Sequence, residues 1–373
     1  MKVYALVLLI AAAVTYLTTP VARWVALRVG AITAVRSRDV HAVPTPRLGG
    51  VAMLAGLVVG VVVASRTPFL AGVFADSHEA WGILGGATLV CLLGVADDIW
   101  DLDWVTKLIG QILGALLMAW QHVQLTSLPI GGLLVGSSQM YLLVTVLFVV
   151  VAINAVNFVD GLDGLAAGMI AIGGLAFFAY TYRLTMAASQ TDYANLASLV
   201  VVALVGACIG FLPHNFYPAR IFMGDSGSMV IGLTMAAATI VVTGQIDPAV
   251  VSERQSIPAY LPIVLPLAVL LLPLLDMALA VVRRVGAGHS PFHPDRMHLH
   301  HRLLALGHSH RRAVIIMYLW TAVAAFGAAS LVILSTTTAL ILLGGGTVVS
   351  TLLTLGPLRG RVRTPAVPRG HAS

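Results

Sequence analysis

Long apolar stretches alternate with short polar clusters along the 373-residue chain. A helix needs about 20 apolar residues to cross roughly 30 Å of hydrocarbon, and the apolar stretches approach that length. They predict eleven membrane-spanning helices, over residues 3–22, 48–65, 81–97, 105–121, 139–157, 164–182, 194–213, 225–243, 260–283, 313–333 and 336–355. The pattern therefore predicts an all-α polytopic membrane protein.

The composition supports a membrane protein over a soluble one. Hydrophobic residues make up 59% of the sequence and charged residues only 10%, whereas soluble proteins carry roughly 25% charged residues. A soluble domain of this size could not bury so large an apolar fraction in one core. Cys91 and Cys208 both lie in apolar stretches, so we expect no disulfide.

Basic residues orient the predicted spans. Of the 21 lysines and arginines, all but Lys2, Arg66, Arg183 and Arg254 fall in segments on one side of the predicted membrane. Loops rich in Lys and Arg stay in the cytoplasm. We therefore predict an outside N-terminus and a cytoplasmic C-terminus. Because the net charge of +6 follows from these loops, we expect no nucleic acid partner.

The domain organisation follows from the spans. Residues 1–355 are predicted to form a single integral membrane domain. Residues 123–136 are β-branched and rich in glycine, which predicts a short outside β-hairpin, and residues 356–373 form a basic tail that we expect to be disordered. The predicted cytoplasmic active-site loops are 23–47, 97–106, 157–164, 213–225 and 284–312.

Four polar clusters interrupt the apolar pattern, and all fall on the predicted cytoplasmic side. They are Ala96–Asp101, Asn157–Gly164, Phe222–Ser228 and Arg296–His301. Carboxylates near lipid are costly and mark functional sites. Their common side predicts one shared site.

Two of the clusters contain closely spaced carboxylates. Asp97 and Asp98 are adjacent, and adjacent carboxylates stay ionised only near a cation or hydrogen-bond donors. They therefore predict either a divalent metal site or a carboxylate that handles a phosphate proton, and a solvated helix end is the alternative. Asn157, Asp160 and Asp163 are spaced by three residues, which favours a site over a plain turn.

The other two clusters suit phosphate. Asp225 begins a predicted span, where it could cap the helix or share a metal with phosphate, because helix N-termini bind anions. His298, His300 and His301 follow Arg296, and histidine with arginine suits phosphate oxygens. A basic surface near anionic lipid is the alternative.

Together the clusters predict magnesium-assisted phosphoryl transfer between a nucleotide and a membrane lipid phosphate. Arg47 lies near headgroup level, where it could meet the lipid phosphate. A cation- or proton-coupled transporter is the rival of a different class. Transporters place ionisable groups at the membrane midplane, whereas these acids lie at span ends.

The motifs resemble those of the polyprenyl-phosphate N-acetylhexosamine-1-phosphate transferases in glycosyltransferase family 4. They occur in family order as Pro44–Gly50, Asp97–Leu102 with Lys107–Gln111, Asn154–Ala166, Asn215 with Pro218–Ser228, and Pro294–His301. The sequence His-Leu-His-His after Pro-Asp-Arg is similar to the WecA/TagO-like branch, which uses simple UDP-N-acetylhexosamines, and differs from the three consecutive histidines of the related MraY.

The resemblance implies a reaction. GlcNAc-1-phosphate would pass from UDP-GlcNAc to undecaprenyl or decaprenyl phosphate, with Mg²⁺ (or Mn²⁺ as a substitute), releasing UMP. This would be the first membrane step of cell-envelope polysaccharide synthesis, in a bacterial inner (plasma) membrane. Phospho-MurNAc-pentapeptide or another N-acetylhexosamine remains the alternative donor sugar, and the resemblance leaves a homodimer open.

The resemblance also implies residue roles. Catalysis on the lipid phosphate falls to Asp97 and Asp98, and metal binding to Asn157 and Asp225. The residues on the nucleotide-sugar side would be Lys107, Asp160, Asp163, Asn215 and Arg220. The residues that hold the diphosphate or sugar would be Arg296, His298, His300 and His301.

Overall fold

The computed structural model describes residues 1–33, 44–75, 78–125, 137–188, 195–244, 267–286, 288 and 298–356. These residues form helices, and no strand occurs among them. The helices are α1 (Lys2–Val29), α2 (Gly49–Ser65), α3 (Ala71–Ala75), α4 (Glu79–Trp100), α5 (Trp104–Trp120), α6 (Ser138–Val159), α7 (Leu165–Ala188), α8 (Leu196–Asn215), α9 (Gly224–Gly244), α10 (Leu271–Gly286), α11 (Leu299–Ala305), α12 (His310–Ile333) and α13 (Thr336–Leu355).

Eight of these helices are long and apolar enough to cross a membrane, namely α1, α4, α6, α7, α8, α9, α12 and α13. The prediction of an all-helical, multi-span membrane protein is therefore confirmed. Helix α5 is apolar but has only 17 residues, and α2 meets the helical segment Pro68–Ala75 at a 91° bend. The total of eleven spans and the orientation remain predictions.

Some predicted segments lie partly or wholly beyond the described residues. The span predicted over 260–283 is described only from residue 267, and most of it belongs to α10. Residues 126–136 of the predicted hairpin lie outside the description, as does the tail after residue 356.

Helix α1 is longer than its predicted span, because it continues past residue 22 to Val29. It ends where Gly30 adopts a left-handed conformation and its N–H bonds to the carbonyl of Ala26, a common helix C-cap. The Arg28 guanidinium lies 4.7 Å from the ring centre of Trp24. The arginines therefore lie on the same helix as the apolar span.

Helix α9 lies at the centre of the bundle. Its apolar stretch is fully buried, and it packs against α2, α4, α6 and α8. Helix α13 is peripheral and exposes Leu340, Ile341 and Leu342, as expected for a face that meets lipid.

Two other helices approach the N-terminus of α9 closely, each at a glycine. A Cβ at Gly50 would lie 2.1 Å from the Gly227 nitrogen, and a Cβ at Gly94 2.3 Å from the Ser226 nitrogen. Glycine at both positions thus allows α2 and α4 to meet the start of α9.

Candidate active site

Two carboxylates and one ammonium group meet where α4, α5 and α9 approach each other. Lys107 Nζ lies 3.1 Å from Asp97 Oδ2 and 3.7 Å from Asp225 Oδ2. The charges of the Asp97 and Asp225 carboxyl groups also act on each other. Like charges this close require a cation or a shared proton between them, so the acidic cluster Asp97–Lys107–Asp225 is built to hold positive charge. The sequence had assigned Lys107 to the nucleotide-sugar side only.

Asn157 orients Asp225 from the last turn of α6. Its side-chain amide donates to Asp225 Oδ1 at 2.9 Å and to the Ser228 hydroxyl at 3.0 Å. Because Asn157 engages Oδ1, Asp225 presents its other oxygen, Oδ2, to Lys107. The two residues predicted as metal ligands are therefore direct neighbours.

Asp98 caps the helix that carries Asp225. Its Oδ1 accepts from the Asp225 backbone N–H at 3.0 Å, and its Oδ2 accepts from the backbone N–H (3.2 Å) and hydroxyl (3.1 Å) of Ser226. The first N–H groups of a helix have no partner within the helix. The cap that the sequence suggested for Asp225 is thus supplied by Asp98, from another helix.

The loop before α2 interlocks with the loop before α9. Phe222 N–H donates to the Pro46 carbonyl at 2.8 Å, and Gly49 N–H donates to the Phe222 carbonyl at 3.0 Å. Leu48, between them, is held at φ 91°, a left-handed conformation that is uncommon outside glycine. The motif Pro44–Gly50 is therefore a tightly fixed connection.

This connection places Arg47 beside the acids. Its Nε donates to the Thr33 hydroxyl at 2.6 Å, and its charge acts on Asp98, Asp160 and Asp225. Arg47 is half-buried, so its charge is only partly screened by solvent. An anion that approached the acidic cluster would meet this guanidinium.

Asp160 follows α6 directly and faces the same charges. Burial among protein atoms, together with the nearby Asp225 and Asp98 carboxylates, raises the pKa of Asp160 to about 7 against the opposing charge of Arg47. The side chain keeps partial solvent exposure. Asp160 can therefore change protonation near neutral pH.

Asp163 and Asn215 lie in the interior and bond to the backbone. Asp163 Oδ2 accepts from Ala219 N–H at 2.9 Å, while the Asn215 side chain accepts from Gly164 N–H at 3.0 Å and donates to the Ile221 carbonyl at 2.9 Å. These bonds tie the turn after α6 to the loop before α9. Both residues thus hold the loops of the site together, in addition to any contact with substrate.

Arg220 lies in the same loop, with its side chain exposed. Its carbonyl accepts from Arg23 Nε at 3.0 Å, which connects the loop to α1. Arg296 lies outside the described residues, so its predicted role stays a prediction.

The histidine cluster adjoins the turn after α6. The ring centres of His300 and His301 are 4.3 Å apart, and those of His298 and His300 are 5.7 Å apart. A Cβ at Gly161 would lie 2.3 Å from His300 Nε2, so His300 packs directly on this glycine. Burial, and to a smaller extent the neighbouring His301, lowers the pKa of His300 to about 3. His300 is therefore neutral at pH 7.

Sequence reasoning missed three supporting contacts. Asp276, buried on α10, accepts a hydrogen bond from His298 Nδ1 at 3.0 Å. Asn154 donates to Gln111 at 2.8 Å, joining α6 to α5 beneath the acidic cluster. Ser228 shares the Asn157 amide with Asp225. Gln111, Asn154 and Ser228 lie within the motifs quoted from the sequence, and Asp276 is a polar residue inside a predicted apolar span. Neither signal identifies the partner that each residue contacts.

The oxygen donors of the site suit a hard divalent cation. No group of three His, Cys, Asp or Glu side chains arranged for a metal ion occurs within the described part of the chain. Magnesium, however, is commonly bound by one or two carboxylates together with water and substrate phosphates. Asp97 and Asp225, held by Lys107 and Asn157, fit that arrangement.

A bundle of apolar helices with an acidic and basic site where the helices end defines an integral membrane protein with a polar site. Residues 80–243 match the family described as glycosyl transferase family 4. Mycobacterial proteins are also 41–44% identical to this chain over 96% of its length. The chain belongs to glycosyl transferase family 4, which confirms the resemblance found in the sequence.

Three mycobacterial relatives carry the name decaprenyl-phosphate N-acetylglucosaminephosphotransferase. The protein from Mycobacterium tuberculosis is 43% identical over 96% of this chain and 89% of its own length. The protein from Mycolicibacterium smegmatis is 44% identical over the same shares. The protein from Mycobacterium leprae is 41% identical over 96% of this chain and 91% of its own length.

Proposed function

We propose that this protein transfers GlcNAc-1-phosphate from UDP-GlcNAc to a polyprenyl phosphate and releases UMP. The names of the mycobacterial relatives, at 41–44% identity over 96% of the chain, support the acceptor and the transferred group. The observation that carries the proposal is the Lys107 ammonium held between Asp97 and Asp225. Such a cluster would hold a divalent cation, whose charge would offset that of two phosphate substrates brought together.

The transfer is a single displacement at phosphorus. An oxygen of the lipid phosphate attacks the β-phosphorus of UDP-GlcNAc, a new P–O bond forms, and the bond from the β-phosphorus to the bridging oxygen breaks, so that UMP leaves with the electron pair. A phosphate monoester has a second pKa of about 6, so it is largely dianionic at pH 7. The attack therefore needs positioning more than it needs a base. A route through an aspartyl-phosphate is the alternative.

Each side chain of the acidic cluster has a proposed role. Asp97 and Lys107 position the reacting phosphates, with Lys107 donating to phosphate oxygens. Asp225, oriented by Asn157, would hold Mg²⁺ with Asp97. When bound, the ion would neutralise phosphate charge during transfer. Asp98 acts by fixing the helix that carries Asp225.

The remaining polar residues surround the two substrates. Arg47 binds the lipid phosphate, as its charge beside the acidic cluster suggests. Asp160, His300 and His301 face the nucleotide sugar, with the neutral His300 acting as a hydrogen-bonding group. We place the protein in the bacterial plasma membrane with this site facing the cytoplasm, where UDP-sugars are made available.

Membranes that contain the protein test this function. Supplied with radiolabelled UDP-GlcNAc and decaprenyl or undecaprenyl phosphate, they should form labelled lipid and UMP in equal amounts. EDTA should stop the reaction and added Mg²⁺ should restore it. Membranes with Asp97→Asn serve as the control. Failure of the folded wild-type protein to label the lipid would contradict the proposal, as would cation flux in proteoliposomes without UMP release.

A further inference from the structure

Asp276 is a buried carboxylate with no part in the proposed transfer. It lies on α10 and is 1% exposed. Burying a carboxylate is costly unless hydrogen bonds compensate for the lost water. Its Oδ2 lies 3.0 Å from His298 Nδ1, and its Oδ1 accepts from Leu299 N–H at 2.8 Å. Both oxygens are thus directed at the start of the histidine cluster.

The bond to Asp276 fixes which nitrogen of His298 is available. A carboxylate accepts, so Nδ1 carries the hydrogen and Nε2 is left for a ligand. The His298 ring also contacts two other rings. Its centre lies 5.6 Å from that of Phe158 and 5.7 Å from that of His300, which is nearly parallel to it. Both the tautomer and the orientation of His298 are therefore set before a substrate arrives.

Helix α10 also contacts the last turn of α6. Asp276, Ala280 and Arg284 follow one another at intervals of four residues, share one face of the helix and are all buried. The Arg284 guanidinium lies 5.3 Å from the ring centre of Phe158. Phe158 directly follows Asn157, which contacts Asp225. Helix α10 thus links the histidine cluster to the acidic cluster through one aromatic ring.

We propose that Asp276 is a positioning residue, which holds His298 so that Nε2 accepts a hydrogen bond from a hydroxyl or amide group of the sugar in the nucleotide sugar. This inference rests on the proposed function. It predicts that Asp276 affects the nucleotide sugar and not the lipid, because the bond that it makes ends at His298. It also predicts that the effect of Asp276 disappears when His298 is absent.

Steady-state kinetics of purified, reconstituted protein test this proposal. In Asp276→Asn the amide oxygen can still accept from Leu299 N–H. The amide nitrogen, which is a donor, then takes the place of the oxygen that accepted from His298 Nδ1. We expect the KM for UDP-GlcNAc to rise about tenfold, the effect of losing a hydrogen bond to a charged group, with kcat and the KM for the lipid changed less than about twofold. His298→Ala should show the same pattern, and the double variant should be no worse than either. Equilibrium binding of UDP-GlcNAc should weaken in parallel.

Two further variants keep the test decisive. Asp276→Glu retains the buried charge but displaces its oxygens, and should raise the KM for UDP-GlcNAc by a smaller factor. Ser309→Ala removes the cap of α12, which Ser309 makes with Arg312 N–H, and should change neither KM. Additive effects of the single variants, equal loss for both substrates, an unchanged KM, or failure of both Asp276 variants to fold would overturn the positioning role. Absence of UMP release by the wild type would instead contradict the proposed function.

Discussion

The carboxylate of Asp98 caps the first turn of the helix on which Asp225 lies, by accepting from the N–H groups of Asp225 and Ser226. Adjacent carboxylates therefore have different tasks. Asp97 accepts from Leu102 N–H with one oxygen and from Lys107 with the other, while Asp98 directs both oxygens at the start of α9. Because both oxygens of Asp98 accept from the helix that carries Asp225, Asp98 acts on the chemistry through the residue that it holds.

Replacing Asp98 by Asn should lower both stability and turnover. The amide nitrogen would face an N–H of α9 and leave it without an acceptor, which costs about 1–3 kcal/mol when the group is buried. UMP release should fall at least tenfold as Asp225 shifts. Thermal unfolding in detergent and UMP release measure the two effects. Ser226→Ala, which loses only the hydroxyl bond to Asp98, should lose less stability. A fully stable but inactive Asp98→Asn would instead assign Asp98 to the chemistry.

Lys107→Gln should reduce turnover by about a hundredfold, the effect of removing one preorganised donor from a charged site. The amide keeps hydrogen-bonding capacity but no charge, so Asp97 and Asp225 would repel each other. Lys107→Arg should retain more activity than the Gln variant, although its planar group cannot reproduce the position of the ammonium. UMP release at saturating substrates is the measurement, and equal activity of the Gln variant and the wild type would exclude the role of Lys107.

The raised pKa of Asp160 predicts how stability depends on pH. At a pH between the pKa of Asp160 in the unfolded chain and about 7, this carboxyl group is protonated in the folded state but ionised in the unfolded state. The contribution of Asp160 to the free energy of unfolding is therefore full at low pH and is lost as the pH rises toward and through about 7. Asp160→Asn removes this contribution. Between pH 5 and pH 8, the melting temperature of the wild type should fall more than that of the variant, and parallel curves would disprove the assignment.

Gly161→Ala should displace His300, because the added Cβ would lie 2.3 Å from its Nε2. The KM for UDP-GlcNAc should rise several-fold, while the KM for the lipid stays close to the wild-type value. Gly85→Ala is a matched control on α4, where the nearest atom to the new Cβ, in Leu117, is at 3.5 Å. Kinetics that are the same in both variants would place His300 away from the nucleotide sugar.

Hydrophobic length predicted most of the fold. The stretches that became α6, α8 and α13 are apolar throughout, so their bounds differ from the predicted spans by only a few residues. Helix α1 was predicted too short, because its amphipathic end continues to the glycine cap after Val29. Helix α5, with 17 residues, matches the span predicted over 105–121 to within one residue at each end.

Which residues form the site was more predictable than which of them contact one another. Carboxylates at span ends drew attention to Asp97, Asp160 and Asp225, because each costs free energy near lipid. Their partners depend on which helices pack together, and no local pattern specifies that. The cap from Asp98 to α9 and the bond from Asp276 to His298 both join elements that are more than twenty residues apart in sequence.

UMP release by Asp225→Asn tests the central claim most directly. Reconstituted with UDP-GlcNAc, a polyprenyl phosphate and Mg²⁺, the wild type should release UMP and form labelled lipid in equal amounts. The variant keeps the size of the side chain and should retain its fold, but should release UMP at less than about a hundredth of the wild-type rate. Turnover near the wild-type rate in a folded Asp225→Asn protein would contradict the account.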